Sequence, residues 1–313
     1  MKFKFKTIDD REVIFENPYL VNITKEIDTP ADNLSATFPI LEKVPEFKSV
    51  EVFISDESIF SGIVDEQITK INADGCFLEI YARSYAAWLL DNEAMPQVYY
   101  SPSLEIIFDR HIKPYGFKKI IGDKSVFTGE FTVTKGMSEW GVLEKFCKTY
   151  LNTTPRVIDE FVVDATGKDC EKDKVFIENS KDGICYFEIK ENICRYNRIS
   201  EVFVRAGKDA AYNIKVSNTN ALGTGIKRKR YLNYTNDSRT PVSCGEEIIK
   251  SGEEKFCQFT VELPSLQALE VNQQVNISDK ILGNISDLHI SKIKYILSPN
   301  IEKTEAVMFK EEN

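Results

Sequence analysis

Residues that could carry out catalytic or metal chemistry are few in this 313-residue sequence, which holds only two histidines. His111 falls on the apolar face of a predicted helix, and His289 lies inside an alternating strand pattern. Neither histidine has a cysteine or an aspartate at the spacing of a metal site. A structural imidazole with satisfied hydrogen bonds is the simplest role for such a histidine. We therefore predict no catalytic residue, no metal and no cofactor.

Carboxylates are plentiful, with 49 Asp and Glu residues, but abundance alone does not make a glycosidase site. Such a site needs two carboxyl groups fixed across a sugar cleft, normally with aromatic walls. Trp88 and Trp140 lie in strongly apolar helical patterns, which predicts that both belong to the structural core. The sequence has no G-x-S-x-G motif, and no Lys-Ser/Thr follows Gly223-Thr224-Gly225 to make a phosphate-binding loop. These patterns predict a protein that is not an enzyme.

One basic run, Lys227-Arg228-Lys229-Arg230, stands out in a chain with a formal net charge of −9. Four cations are too few to hold nucleic acid tightly against this acidic balance, because phosphate binding relies on Lys and Arg displacing counterions. We expect no sequence-specific nucleic acid partner. Two roles for the run stay open: a solvated strand end, or a docking edge for an acidic partner subunit.

The start of the chain and its cysteines indicate where the protein is made. Residues 1–15 alternate Lys with Phe and contain no apolar segment of signal-peptide type. No run approaches the ~18 apolar residues of a membrane span. The seven cysteines include no C-x-x-C pair, and we predict that they are reduced thiols. We expect synthesis in the cytoplasm and no membrane insertion by this chain.

Strand patterns dominate both ends of the chain, and helical patterns appear between them. Residues 2–83 indicate antiparallel strands joined by tight turns, and a short helix follows in which Trp88 would close one end of a barrel. Residues 92–194 combine two helices with several short strands, the last two within 174–191. Residues 201–205 and 212–216 are predicted strands, and 246–254 is a polar loop or short helix. No internal repeat is visible by residue identity.

Several segments resemble a known family in the right order along the chain. The residues GIVDEQ and FLEIYARSYAAWLLDN, within 60–92, resemble the segment that ends the first barrel of phage-tail baseplate hub proteins. Residues 103–117 and 131–157 resemble the inserted helical part of these proteins. RYNRISEVFVRAG, at 195–207, resembles the opening of the second barrel, and residues 275–297 resemble its last strands. The family is that of the T4-type central hub and late control gene D proteins, in the variant of PBSX-like prophages and contractile bacteriocins.

The resemblance implies a β-rich α+β fold in which two tube-type antiparallel β-barrels flank a small α+β insertion domain. It implies a first tube-like barrel at 1–92, an α+β middle domain at 93–195, and a second barrel with the C-terminal strands at 196–313. The implied function is the structural hub of a phage-like contractile tail baseplate. A homotrimeric ring would adapt the six-fold tail tube to the three-fold spike.

The resemblance also implies partners and a location. The expected partners are the tail tube protein ring, the spike protein and other baseplate subunits, with DNA passing through the lumen without specific binding. The expected location is the tail baseplate of a virion or bacteriocin particle. For the basic run at 227–230, the resemblance favours docking, because hub proteins stack on other tail rings. The alternative is a tail-tip cell-wall or receptor-binding module of a flexible-tailed phage.

Overall fold

The computed structural model describes residues 1–168, 170, 172–179, 183–207, 210–234 and 240–310. The strands, in chain order, are β1 (Lys2–Thr7), β2 (Glu12–Phe15), β3 (Leu20–Glu26), β4 (Asn33–Pro39), β5 (Phe47–Ile54), β6 (Glu57–Asn72), β7 (Gly75–Ser84), β8 (Gln97–Tyr99), β9 (Lys119–Ile121), β10 (Phe131–Val133), β11 (Arg156–Asp159), β12 (Val162–Asp164), β13 (Val175–Glu178), β14 (Glu188–Ile193), β15 (Glu201–Ala206), β16 (Ile214–Ser217), β17 (Lys229–Tyr234), β18 (Cys257–Leu263), β19 (Gln274–Asp279), β20 (Gly283–Ser298) and β21 (Ile301–Lys310).

The helices are α1 (Ala86–Asp91), α2 (Leu104–Ile107), α3 (Glu139–Phe146), α4 (Thr219–Gly223) and α5 (Pro241–Glu254). A π-helical turn (Phe108–Ile112) and a 3-10 turn (Lys113–Tyr115) continue α2, and a π-helical turn (Cys147–Leu151) continues α3. Within the described residues, no helix has the length and apolar character needed to cross a membrane.

One 13-stranded sheet organises the chain. Its strand order is β14-β18-β21-β20-β3-β4-β7-β6-β5-β1-β2, and β19 and β13 branch from β20. The pairs are antiparallel except β13 with β19. The fold is therefore β-rich, as the sequence predicts. In the part of the chain that is described, the end strands β2 and β14 do not pair with each other, so the sheet does not close on itself.

Alternating side chains explain why these segments form strands around one core. In β1 the side chains of Phe3 and Phe5 are fully buried, while Lys2, Lys4 and Lys6 alternate with them and point outward. Phe38 of β4 and Phe47 of β5 pack against Phe5 with ring centroids 5.8 and 4.6 Å away. Residues of β18 to β21 belong to the same apolar cluster, so both ends of the chain share one continuous core.

A second core lies in the middle of the chain, around α1, α2 and α3. Ser103 caps α2 by accepting a hydrogen bond from the Ile106 amide, and Ser138 caps α3 through the Gly141 amide. Two small sheets, β8 with β10 and β9-β12-β11, border these helices. Leu89 of α1 is fully buried in this second core. The short helix therefore packs on the middle of the chain rather than closing the end of the first strands.

Two strands predicted for the middle domain belong instead to the large sheet. They come from the segment 174–191: β13 pairs with β19, and β14 pairs with β18. The partner strands lie about 100 residues further along the chain for β13 and about 70 for β14. The sequence pattern of a short strand does not identify its partner. The domain boundaries at 92 and 195 remain a prediction.

The segment predicted to open the second barrel forms a separate module. There β15 pairs with β16 and β17 in a three-stranded sheet, and α5 covers one face of it through Val202, Val204 and Val216. The region predicted as a polar loop or short helix is α5, a 14-residue helix with Thr240 in a capping box and a proline in its first turn. We call residues 195–256 the inserted module, because it separates β14 from β18.

The large sheet contains the same strand arrangement twice. One half has the order β3-β4-β7-β6-β5-β1, and the other has the order β14-β18-β21-β20-β19-β13. The sixth strand differs in direction, because β1 is antiparallel to β5 and β13 is parallel to β19. The two halves join where β3 of the first pairs with β20 of the second.

The long hairpin of each half has the same register. Both hairpins turn over two residues, 73–74 in the first and 299–300 in the second. Each also skips one residue on its first strand, Asp65 in β6 and Ser291 in β20. The matching pairs around the skipped residue are Val64–Ala82 and Glu66–Tyr81 in the first hairpin, and Ile290–Met308 and Lys292–Val307 in the second. A β-bulge at the same position in both hairpins indicates one structural unit used twice.

Candidate docking surfaces

The basic run lies in the inserted module, where its four side chains take different positions. Lys227 is exposed and precedes β17. The Arg228 guanidinium stacks on the Tyr196 ring, 3.6 Å from its centroid, and donates to the Tyr196 carbonyl. Lys229 and Arg230 are exposed on β17, and alternation along the strand places them on opposite faces. The run is therefore not one continuous patch.

Lys229 belongs to a surface that the basic run alone does not indicate. The face of the β15-β16-β17 sheet turned away from α5 carries stacked aromatic rings, with Phe203 and Tyr231 at a centroid distance of 5.5 Å. Tyr212 meets Tyr231 edge-on at 5.2 Å. Lys215 and Lys229 lie 5.9 and 5.4 Å from the Phe203 ring. We call this surface the aromatic face, and its members are Phe203, Arg205, Tyr212, Lys215, Lys229 and Tyr231.

One carboxylate balances part of the charge on the aromatic face. Glu201 accepts from Lys215 at 2.5 Å and lies 3.4 Å from Lys229. The hydrogen bond from Lys215 lowers the pKa of the Glu201 carboxyl, so it stays ionised at neutral pH. With Arg205 beside the Tyr212 ring, the face still carries more positive than negative charge. A basic surface on a chain of net charge −9 suits an acidic partner.

Sequence reasoning missed Lys215, Phe203 and Tyr231 as neighbours of the basic run. The alternation in 201–205 and 212–216 is a usable signal, because every second residue of a strand shares a face. The pairing that brings these residues together is tertiary, since Phe203 lies opposite Lys215 on one side and Tyr231 on the other.

Both tryptophans lie in the second core and not at a surface site. Trp140 is 3% exposed, and Trp88 is partly buried against the same cluster. The rings of Trp88 and Tyr85 are 4.9 Å apart. Trp140 also borders the cavity between the first strands and the middle of the chain.

His111 lies in a buried hydrogen-bonded chain. Its Nε2 is 2.8 Å from the Tyr99 hydroxyl, and its Nδ1 is 2.5 Å from Glu139 Oε2. Tyr115 donates to the other oxygen of Glu139 at 3.3 Å. His111 is 2% exposed and Glu139 is 8% exposed, so the imidazole satisfies a buried carboxylate between α2 and α3. His289 is also buried, on β20 near the Phe309 ring. Among the described residues, no three His, Cys, Asp or Glu side chains form a group that could hold a metal.

A cavity of about 650 Å³ separates the first strands from the middle of the chain. The Lys25 ammonium lies on its wall and pairs with Glu270 at 3.2 Å, joining β3 to the segment before β19. Lys172 pairs with Glu57 beside it. Burial raises the pKa of the Asp32 carboxyl in this wall to about 6, although the charge of Lys25 opposes that rise.

Two strand edges of the large sheet lack a partner strand within the described residues. We call residues 66–71 the β6 edge, because β5 pairs with β6 only up to Ile63 while β7 follows it to Asn72. We call residues 188–194 the β14 edge, because β14 pairs with β18 on one side only. Ile71 on the β6 edge is 78% exposed, and Ile193 on the β14 edge is 56% exposed. Unpaired edges with exposed apolar side chains are sites where another chain can add a strand.

The doubled sheet, with an α+β region in the middle of the chain, is a fold that this chain shares with phage tail proteins of known structure. The chain superposes on the tail protein from Neisseria meningitidis MC58 with a TM-score of 0.76 and 14% identity, over 99% of this chain and 96% of that one. The 43 kDa tail protein of prophage MuSo2 from Shewanella oneidensis gives a TM-score of 0.76 with 16% identity, over 99% of each chain.

A more distant likeness is to the Escherichia coli c3393 protein, with a TM-score of 0.60 and 6% identity over 95% of this chain and 74% of that one. That protein is described as a component of the type VI secretion system with structural similarity to the T4 bacteriophage tail proteins gp27 and gp5. At these identities the likeness concerns the fold. The predicted resemblance to tail hub proteins is confirmed at that level. No protein-family model and no curated protein sequence matches the chain.

Proposed function

We propose that this protein is the structural hub of a phage-like contractile tail baseplate, without catalytic activity. Three copies form a ring that joins the six-fold tail tube to the three-fold spike. The observation that carries the proposal is the doubled strand arrangement, in which the two long hairpins share the register of their bulges. Three chains with two equivalent units each present six similar units on one face of a ring and three-fold symmetry on the other.

In this proposal each half of the large sheet is a tube-type β-barrel of the assembled ring. The partners are the tail tube ring, the spike protein and other baseplate subunits. The tail-protein structures that share this fold over nearly the whole chain support such a role. The acidic balance of the chain fits a lumen through which DNA passes without binding, since like charges repel. The proposed location is the baseplate of a virion or bacteriocin particle, assembled from protein made in the host cytoplasm.

The aromatic face and Lys227 are the proposed docking surface for an acidic neighbouring subunit. The support is the concentration of cations there, with Lys215, Lys229 and Arg205 facing the same side of one sheet. Arg228 is already held by Tyr196, so its role is to fix the start of β17. Arg230 flanks the docking surface from the opposite face of the strand.

The ring proposal is tested by the mass of the protein in solution. Light scattering and native mass spectrometry over a range of concentrations, with and without the spike subunit encoded by the same particle, measure the number of chains in the complex. We expect three chains. A protein that stays monomeric at high concentration in both conditions contradicts the hub function.

A second candidate function is a tail-tip module that binds the cell wall or a receptor. The exposed rings favour it, because Tyr231 is 65% exposed and Tyr212 is 36% exposed on one face, and aromatic faces bind sugars and peptides. Co-sedimentation of the isolated protein with purified cell walls distinguishes the two functions. Saturable sedimentation that Tyr231→Ala abolishes supports the binding module, whereas a trimer that stays in the supernatant supports the hub.

A further inference from the structure

We propose that the β14 edge of one chain pairs with the β6 edge of a second copy, in the antiparallel register that β3 and β20 already show within one chain. This inference rests on the proposed ring, and it names the two surfaces that close it. It follows from the doubled arrangement of the large sheet and from the position of its two unpaired edges.

The first step is that β3 and β14 are equivalent strands. β3 pairs with β4 so that Val21 lies opposite Ala36 and Ile23 opposite Leu34. β14 pairs with β18 in the same direction and position. β4 pairs with β7 as β18 pairs with β21, so Ala36 of β4 corresponds to Val261 of β18. The pairs of β14 that correspond to those of β3 are therefore Ile189–Val261 and Glu191–Phe259.

The second step is that β6 and β20 are equivalent strands, as their shared bulge position shows. Residues 292–297 of β20 carry β3 on the side away from β21. The equivalent residues of β6 are 66–71, which form the β6 edge. Within one chain, residues 292–297 of β20 pair with β3, whereas the equivalent residues of β6 have no partner strand on that side among the described residues. The strand equivalent to β3 is β14, which has a free edge of its own.

The third step transfers the register from the observed junction to the second copy. Within one chain, Lys292 lies opposite Glu26, Tyr295 opposite Ile23, and Leu297 opposite Val21. The equivalent pairs between two chains are Glu66 with Cys194, Thr69 with Glu191, and Ile71 with Ile189.

Side chains at both edges fit this pairing. Ile71 and Ile193 are exposed in the single chain, and strand pairing covers them. Lys70 comes to lie opposite Lys190, but each lysine carries its own carboxylate, Glu79 at 3.3 Å and Glu188 at 2.8 Å. The carboxylate beside each lysine reduces the repulsion between the two ammonium groups.

The pairing is head-to-tail, because each chain offers its β14 edge to one neighbour and its β6 edge to the other. Such a contact gives a closed ring only when the rotation between copies returns to the start. The outward-facing backbone groups of residues 66–71 and 189–194 are then paired, and the unpaired edges that would otherwise promote aggregation are covered.

The test is a disulfide between Glu66→Cys and the natural Cys194. Directly opposed residues of antiparallel strands lie about 4.5–5.5 Å apart at Cα, which is within the range of a disulfide. The variant is made in the natural background and in a Cys194→Ser background, which keeps every other cysteine. Mild oxidation followed by non-reducing electrophoresis counts the chains that are linked.

We expect covalent dimers and trimers and no larger species from Glu66→Cys, and loss of both in the Cys194→Ser background. The pair Thr69→Cys and Glu191→Cys, three residues away along each strand, should link in the same way. If native mass spectrometry shows trimers but neither pair links, the strand pairing is wrong while the hub function stands. If no trimer forms in any condition, the hub function itself is wrong. Equal cross-linking with and without Cys194 also overturns the pairing.

Discussion

Asp65 and Ser291 occupy the same position in two copies of one hairpin, each being the residue that the strand register skips. Their environments differ. Asp65 receives two hydrogen bonds from Arg83, which also holds Asp91 at the end of α1. Ser291 accepts through its carbonyl from the Ile27 amide, where the two halves of the sheet meet. The β-bulge at Asp65 therefore connects the first half of the sheet to α1. The equivalent bulge at Ser291 connects the two halves of the sheet.

The first prediction concerns the β14 edge. Ile193→Lys places a charge where strand pairing would bury an apolar side chain. The trimer should therefore dissociate at least about tenfold more readily, in line with roughly 1.5–3 kcal/mol for burying such a side chain. Because Ile193 is 56% exposed in the single chain, the melting temperature of the monomer should hardly change. Analytical ultracentrifugation and thermal unfolding measure the two effects.

The matched control for this variant is Ile281→Lys. Ile281 is 93% exposed in the turn between β19 and β20, away from both unpaired edges. The Ile281→Lys substitution should leave the trimer intact. Equal weakening by both variants would mean that added positive charge, and not the β14 edge, affects assembly.

The second prediction concerns the aromatic face. Lys215→Glu with Lys229→Glu reverses its charge and removes both partners of Glu201, so binding to an acidic neighbouring subunit should fall by an order of magnitude or more. Replacing Lys227 to Arg230 by Glu should act in the same direction. The variant with Lys215→Glu and Lys229→Glu should fold, since both lysines are exposed. The four-residue variant also removes the Arg228 guanidinium from the Tyr196 ring, so circular dichroism must show that it is folded before its binding is compared. Binding to purified tail tube and spike proteins is measured at two salt concentrations, because steering by charge weakens with salt.

The control for charge reversal is Lys43→Glu with Lys124→Glu, two exposed lysines in loops outside the inserted module. These substitutions change the net charge by the same amount. Unchanged assembly of particles that contain the reversed aromatic face would rule out its docking role.

The third prediction concerns pH. The pKa of Asp32 is raised to about 6 in the folded protein, so the folded state binds a proton more tightly than the unfolded state. This carboxyl therefore stabilises the fold below about pH 4 relative to neutral pH, and the contribution is lost as the pH rises through about 6. Asp32→Asn removes this dependence. We expect it to be more stable than the natural protein at pH 7 by on the order of 1–3 kcal/mol.

Denaturant unfolding at several pH values measures the free energy of unfolding for both proteins. The difference between them should shrink between pH 7 and pH 4. A constant difference over that range would show that Asp32 does not titrate in the folded state as its burial suggests.

The fourth prediction concerns the buried chain of Tyr99, His111 and Glu139. His111→Ala leaves the Glu139 carboxylate without its 2.5 Å partner in the second core, and should cost about 3–5 kcal/mol of unfolding free energy. Tyr99→Phe removes one neutral hydrogen bond and should cost only about 1 kcal/mol. Chemical denaturation gives both values. Equal costs would mean that the loss of stability does not come from the unpaired Glu139 carboxylate.

Local patterns predicted much of the secondary structure because their causes lie within a few residues. The alternation of Lys and Phe at the start predicts the strand that β1 forms, and the cap at Ser138 predicts the start of α3. Ser101 and Pro102 also have the pattern of a helix cap followed by proline, but the residue that caps α2 is Ser103, two positions later. Helix starts depend on one hydrogen bond, and nearby serines compete for it.

The sequence by itself determined the β-rich class, the apolar cores and the likeness to tail hub proteins, because apolar periodicity and segment order are properties of the chain. Only the tertiary structure decided that β13 and β14 join the large sheet, that the inserted module stands apart from it, and that Lys229 meets Phe203 and Tyr231. The sequence of a strand does not specify which strand it pairs with, because every backbone offers the same hydrogen-bond donors and acceptors. The doubled hairpin shares its register without visible sequence identity, because backbone pairing requires only alternation and a bulge at the right position.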